Sequence, residues 1–249
     1  MADARTAEIA ANLAAVRERI ANACTAAGRD PGEITLVVVT KTWPADDVTR
    51  LAGLGVTDVG ENRDQEAAPK AAATRELDLT WHFIGQLQTN KAAAVARYAD
   101  VVHSVDRLAL VQALEKGAAK AGRTLDCLVQ VNLDPDPGPQ PGNPVRGGCA
   151  DPPGPIAQRG GVAADEAADV AAAIDSAEHL RLRGVMGVAP LGADPAPAFV
   201  RLADALAALR AHYPGLDVMS AGMSDDLEQA VAAGATHLRV GSSVLGSRA

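Results

Sequence analysis

The strongest constraint on what this chain can fold into is a rhythm. Eight apolar runs of five to ten residues, rich in Val, Ile and Leu, alternate with segments whose apolar residues fall at helical spacing. The runs are ITLVVVT (34–40), VTDVG (56–60), WHFIG (81–85), DVVHSV (100–105), TLDCLVQVNL (124–133), HLRLRGVMGV (179–188), GLDVMS (215–220) and THLRVG (236–241). Helical patterns follow at 44–54, 61–73, 87–99, 106–122, 164–176, 195–213 and 224–234; another, over 7–27, precedes the first run with Ile9, Leu13, Val16 and Ile20 on one face. Strict alternation of this kind implies parallel strands covered by helices. Eight units in 249 residues predict an α/β fold, a single (β/α)8 TIM barrel over 1–249 with an extra N-terminal helix. A doubly wound open sheet is the alternative, but LVVVTKTW carries no glycine fingerprint after the first strand. Hydrophobic residues make up 48% of the chain, enough for one large core.

Between 134 and 161 the rhythm stops. DPDPGPQPGNPVRGGCADPPGPIAQRGG holds eight of the chain's 15 prolines and little that can pack, so it reads as a flexible insert within the domain. It is either an excursion without a role or a flap over the mouth of the barrel. With 31 acidic against 23 basic residues the net charge of -8 repels a polyphosphate backbone, and 2% aromatic residues leave few stacking platforms; no nucleic-acid partner is expected. No apolar stretch approaches the roughly 18 residues of a membrane span, and MADARTAEIA lacks the features of a signal peptide. A cytoplasmic protein without membrane contact is therefore expected. Cys24, Cys127 and Cys149 form no C-x-x-C pair, which points to neither a disulfide framework nor a metal site.

In a barrel, the loops after strands seven and eight are the habitual seat of a phosphate. SAGMSDD (220–226) and GSSVLG (241–246) occupy those places. The amides of Gly241 and Ser242, with the hydroxyls of Ser220 and Ser242, offer donors to a phosphate; the same residues also suit ordinary caps and turns, Ser224 above all. Lys41 ends the first strand, which barrel closure lays beside the GSS loop. A lysine at the lip of an apolar strand is expected to be partly desolvated, freeing neutral amine to attack a carbonyl. Schiff-base chemistry on a phosphorylated aldehyde is one reading of Lys41, a snorkelling or phosphate-neutralising cation the other. Arg239 alternates away from Leu238 and Val240 and points into the barrel or its mouth, toward a carboxylate or the ring nitrogen of a cofactor.

The motifs VVVTKTWPADDV, GENRDQEAAPK, WHFIGQLQTNK, RGVMGV and SAGMSDDLEQAVAAGATHLRVGSSVLGSR follow one another over nearly the whole chain apart from the insert. Together they resemble the YggS/PROSC family of pyridoxal phosphate homeostasis proteins. The resemblance implies a barrel similar to the N-terminal domain of bacterial alanine racemase. It also implies pyridoxal 5'-phosphate (PLP) bound as a lysine aldimine, and a monomer that carries or regulates the cofactor, with apo PLP-dependent enzymes as partners. Carried over residue by residue, the lysine is Lys41, the ring-nitrogen arginine Arg239, and the phosphate positions Ser220, Gly241 and Ser242; Asn62 and Met186 fall near the ring. His82, Asn90 and Lys91 belong to the WHFIGQLQTNK block, which serves equally as recognition signature and as core. Where many relatives read S-M-G-M-S, this chain has Ala221, a change that trims packing and leaves the hydroxyls in place.

Racemases of this fold need a second acid or base across the cofactor, which in alanine racemases comes from an additional domain and the partner subunit. The chain stops at Ala249, directly after the start of the helix that follows the eighth strand, so no catalytic residue and no turnover are expected. A PLP enzyme with weak racemase-like activity and a Schiff-base aldolase acting on a phosphorylated sugar are the alternatives.

Overall fold

The computed structural model describes residues 3–134 and 160–246. The proline-rich segment foreseen at 134–161 lies, apart from its ends, outside the described residues, as does Cys149. The chain begins with α1 (Ala4–Ala27) and a 3-10 turn, Pro31–Glu33. Then β1 (Thr35–Val39), α2 (Ala45–Gly53), β2 (Asp58–Glu61), α3 (Asp64–Ala73), β3 (Thr80–Phe83), α4 (Ala92–Val95), β4 (Val101–Val105) and α5 (Leu108–Ala121) alternate. The alternation continues through β5 (Leu125–Gln130), α6 (Ala167–Asp175), β6 (Leu180–Met186), α7 (Ala196–Arg210), β7 (Val218–Ser220), α8 (Leu227–Ala232), β8 (His237–Val240) and α9 (Ser242–Leu245). All neighbouring strands pair in parallel and β8 returns to β1, closing the barrel. The expected (β/α)8 barrel with its extra N-terminal helix is the observed fold.

Each strand is shorter than the apolar run that announced it, because the ends of the runs leave the ladder to form the loops. Two helices differ more. The pattern at 87–99 is a 3-10 turn, Thr89–Lys91, followed by the short α4, and then i to i−3 bonds from Arg97 and Tyr98 tighten the chain. That tightening lets Asp100 N donate to Trp81 O at 2.9 Å, while the Tyr98 ring meets Trp81 edge-on at 6.4 Å. The pattern at 224–234 begins as a helix only at Leu227, because the Asp226 carboxylate accepts from Met223 N at 2.6 Å and closes the loop ahead of it. Ser224 is therefore not a helix cap.

The main apolar layer lies between strands and helices. α1 contributes Ile9, Leu13, Val16, Ile20 and Cys24, all buried, and each large aliphatic among them contributes about 1.5–3 kcal/mol by leaving water. Polar bonds lock this helix over the closing seam. Asn12 Nδ2 donates to Val244 O at 3.1 Å, and Arg29 Nη1 donates to Val231 O and Ala235 O at 2.9 and 2.7 Å. The interior of the barrel is different, since His103 of β4 bonds Ser220 of β7, and these strands are not neighbours. The contact crosses the lumen, so the barrel is plugged partly by polar side chains.

Gly222 shows how tightly the loop after β7 is packed. Its φ is 88°, and a β-carbon there would stand 2.6 Å from Ala230 Cβ and 2.8 Å from Leu238 Cδ2. Gly222→Ala combines left-handed strain with overpacking and is expected to lower unfolding free energy by about 2–4 kcal/mol. Urea titration of parent and variant measures it; a loss within about 0.5 kcal/mol of zero would show that this loop yields easily.

Candidate functional site at the barrel mouth

At the C-terminal end of β1, buried Thr40 is followed by exposed Lys41. The sequence foresaw a partly desolvated amine. The structure corrects this: β1 ends at Val39, so Lys41 stands in the turn beyond the apolar strand, in solvent. Below it the turn is held firmly. Lys70 Nζ donates to Thr40 O at 2.8 Å and to Glu61 Oε1 at 2.5 Å, and Thr40 Oγ1 donates to the same carboxylate oxygen at 2.7 Å. The residue after Lys41, Thr42, has φ 68°, and its N–H donates to Glu66 Oε2 at 2.8 Å. A β-branched residue in that region costs about 1–2 kcal/mol and persists where neighbouring bonds impose it. Outside the turn, the Arg5 guanidinium lies 4.3 Å from the centre of the Trp43 ring while Nη2 reaches Asp47 and Leu245 O, each at 2.9 Å. One arginine thus ties α1, the lysine turn and α9 together.

Beside this turn lies the exit of β8. Register pairs Val38 with Val240, so the chain leaves β1 and β8 side by side and sets the Lys41 turn next to Gly241 and Ser242. A β-carbon on Gly241 would lie 3.2 Å from Val39 O and 3.3 Å from Val39 Cβ, so glycine lets the two exits run close. Ser242 Oγ lies 3.1 Å from Ser224 Oγ, giving a pair of hydroxyls at an open rim. Ser224 thus joins the group that the sequence had predicted for Ser220 and Ser242.

Ser220 itself turns inward. It is fully buried at the end of β7, and its Oγ accepts from Arg239 Nη1 at 2.5 Å and bonds His103 Nδ1 at 2.9 Å. Arg239, also buried, donates through Nη2 to Gly187 O at 2.8 Å. Burial lowers its pKa from 12.5 to about 10 against the pull of Asp226, so the guanidinium remains charged at neutral pH. Met186, the last residue of β6, is buried with Leu128 and Val218. Asn62, just beyond β2, lines a cavity of about 680 Å³ with Lys91, Gln86, Arg107 and Glu66, the residue that holds Thr42 N–H. Lys41, Gly241 and Ser242 therefore meet at one lip, with Arg239 and Ser220 buried beneath it; Asn62 and Lys91 share the cavity beyond the ends of β2 and β3.

Comparison with known proteins fits this geometry. Residues 11–249 match the family described as alanine racemase, N-terminal domain. The pyridoxal phosphate homeostasis protein of Mycobacterium tuberculosis is 40% identical, with 98% of this chain and 94% of that protein covered. The protein of the same name from Escherichia coli K12 is 36% identical, covering 97% of each. The chain belongs to the pyridoxal phosphate homeostasis protein family. The solved structure of PipY from Synechococcus elongatus PCC7942 with PLP bound superposes with a TM-score of 0.76 at 32% identity, covering 96% of this chain and 100% of that one.

In this family member, sequence reasoning missed the support beneath the lysine turn. Lys70 lies in a polar helix pattern that gives no sign of burial, and Thr42 carries no signal of its left-handed backbone. His103 could have been found: between Val101 and Val105 it is the one ionisable residue of the run. Lys70→Met removes the cation from a buried pair and leaves the Glu61 carboxylate without its ammonium. Chemical denaturation is expected to show a loss of about 3–5 kcal/mol, partly recovered by adding Glu61→Gln. Acid sensitivity follows from the interior histidines. Burial lowers His237 from 6.5 to about 4 and pushes His103 well below the ordinary range. Below about pH 6.5 the unfolded chain takes up protons that the native protein refuses, so stability is full above that pH and falls on acidification toward pH 4. His237 alone accounts for on the order of 2–3 kcal/mol, readable as a falling urea midpoint between pH 7.5 and 4.5.

Proposed function

We propose that the mouth of this barrel holds PLP reversibly and that the protein serves PLP homeostasis in the cytoplasm as a carrier. The observation that carries the reading is the meeting of an exposed lysine amine with the Gly241-Ser242 exit and the Ser224 hydroxyl at the seam between β1 and β8. The donor set fits the cofactor's two ends. Ser224, Ser242 and the amides of the β8 exit suit a phosphate, and Lys41 suits an aldehyde. PLP supplies that aldehyde and a visible chromophore when bound. A relative at 32% identity that was solved with PLP bound supports the assignment.

The chain's own residues favour holding the cofactor over turning it over. Arg239 stays cationic; set against the pyridine nitrogen, the role that the family resemblance gives it, such a donor would keep that nitrogen unprotonated and weaken the ring as an electron sink. Exposure of Lys41 keeps the linkage within reach of small amines and of apo-enzymes that would receive the cofactor. The names of the relatives agree with a carrier role.

Incubation with PLP followed by borohydride reduction and peptide mapping is expected to place the phosphopyridoxyl group on Lys41, and Lys41→Ala to abolish the visible band. Mapping to Lys91, or to no residue, defeats the proposal. Replacing Ser242 by Asp sets a negative charge in the phosphate seat and is expected to weaken PLP binding at least about tenfold, with the fold retained by circular dichroism. Sustained racemisation of amino acids by the parent protein would overturn the carrier reading.

A further inference from the structure

Two buried histidines have no part in this chemistry, yet they join the site to the opposite end of the barrel. Asp58 Oδ1, at the start of β2, bonds His82 Nε2 at 2.9 Å. His82 Nδ1 then bonds His103 Nε2 at 2.8 Å, and His103 Nδ1 bonds Ser220 Oγ at 2.9 Å. Arg239 Nη1 donates to that same Ser220 oxygen at 2.5 Å. Both histidines and the serine are buried, so solvent reaches this line only at its partly exposed Asp58 end.

Counting hydrogens along the chain gives it a direction. The Asp58 carboxyl is held below the usual range: burial opposes ionisation, but hydrogen bonds from His82 and Thr57 outweigh it. An ionised carboxylate only accepts, so His82 carries a hydrogen on Nε2. A neutral His82 then has a bare Nδ1, which requires His103 to donate from Nε2. A neutral His103 has a bare Nδ1 in turn, so Ser220 must give its only hydrogen to His103. The serine oxygen is left with its lone pairs for the guanidinium. Were His82 to take up a second proton, every bond above it would reverse: His103 would donate from Nδ1, and the serine hydrogen would be released.

We propose that His82 and His103, anchored on Asp58, are positioning residues that turn the Ser220 hydroxyl into the barrel and thereby fix Arg239 at the mouth. Its consequence for the cofactor rests on the PLP site described above. Burial, with the neighbouring Arg239 cation acting in the same direction, keeps His103 neutral. The groups facing the relay are Asp58 from β2, Ser220 from β7, and His237 and Arg239 from β8, with Asp217 and Arg183 bearing on His237. In this relay the one Ser220 hydrogen is committed to His103, so the serine has none to donate to a phosphate.

The test has two arms. Long-range 1H–15N correlation spectra of the labelled full chain without PLP, at about pH 8, are expected to show neutral His82 and His103, each with its hydrogen on Nε2. Removing the anchor by Asp58→Ala is expected to make the His103 tautomer mixed. A proton on His103 Nδ1 in the parent protein overturns the relay. In the second arm, the visible band of the PLP-loaded protein is followed against pH for Asp58→Ala and His103→Phe. Both are expected to shift its titration by about one pH unit, with the phosphopyridoxyl group still mapping to Lys41. His103→Asn, which keeps an acceptor near the Nδ1 position, is expected to return the curve toward the parent. Asp58→Ala lies at the far end of the relay and serves if His103→Phe does not fold. Unchanged curves with PLP still on Lys41 reduce the histidines to core packing and overturn the proposal. Failure of the parent to bind PLP at Lys41 refutes the site instead, and the tautomer measurement then decides the relay alone.

Discussion

The pairing of β8 with β1 is the interaction on which the site depends. Four residue pairs, from Thr35 with His237 to Val38 with Val240, convert an open ribbon into a barrel. Only that closure brings residue 41 beside residues 241 and 242, which are separated by nearly the whole chain. The seam is defended from outside by α1, whose Arg5 reaches Asp47 and Leu245 O at once. Inside, Gly241 allows the two strand exits to pass at a distance that any side chain would widen. A helix added before the first strand is thus a strap over the joint.

Closure also creates a lumen that must be filled, and here it is filled partly by polar groups. Buried polar atoms are costly unless each finds a partner. Asp58, His82, His103, Ser220 and Arg239 solve this with one continuous line of hydrogen bonds. Hydrophobic side chains of similar volume would fill the same space at less electrostatic cost. What the polar line adds is orientation, because each donor is committed by the one before it. Fixed orientation is what a bound cofactor's ring needs, and greasy packing alone does not supply it.

Much of this was legible in the sequence, because strand runs and helical spacing report burial directly. All eight strands and the seam that positions Lys41 follow from that pattern. Arg239 was legible too, since alternation in HLRV separates it from Leu238 and Val240. What the pattern hides is partner choice. Ser220 and Ser224 are equivalent small hydroxyl residues in SAGMSDD, and only the fold shows that one faces His103 while the other faces Ser242. Solvation of Lys41 was likewise illegible, because it depends on where the ladder stops within the run.

Two lysines near the same turn show how environment assigns different work to one side chain. Lys70 is buried and spends its ammonium on Thr40 O and Glu61. Lys41, a residue beyond Thr40, is exposed. The first fixes the backbone carbonyl from which the second projects, so the reactive amine stands on an anchored base and reaches into solvent. Strain at Thr42 belongs to the same device. A left-handed threonine would relax if the turn were free, and it does not relax because Glu66 holds its N–H and Lys70 holds the carbonyl two residues earlier. A held base below the amine and solvent above it is the combination that suits the reversible holding proposed for this site.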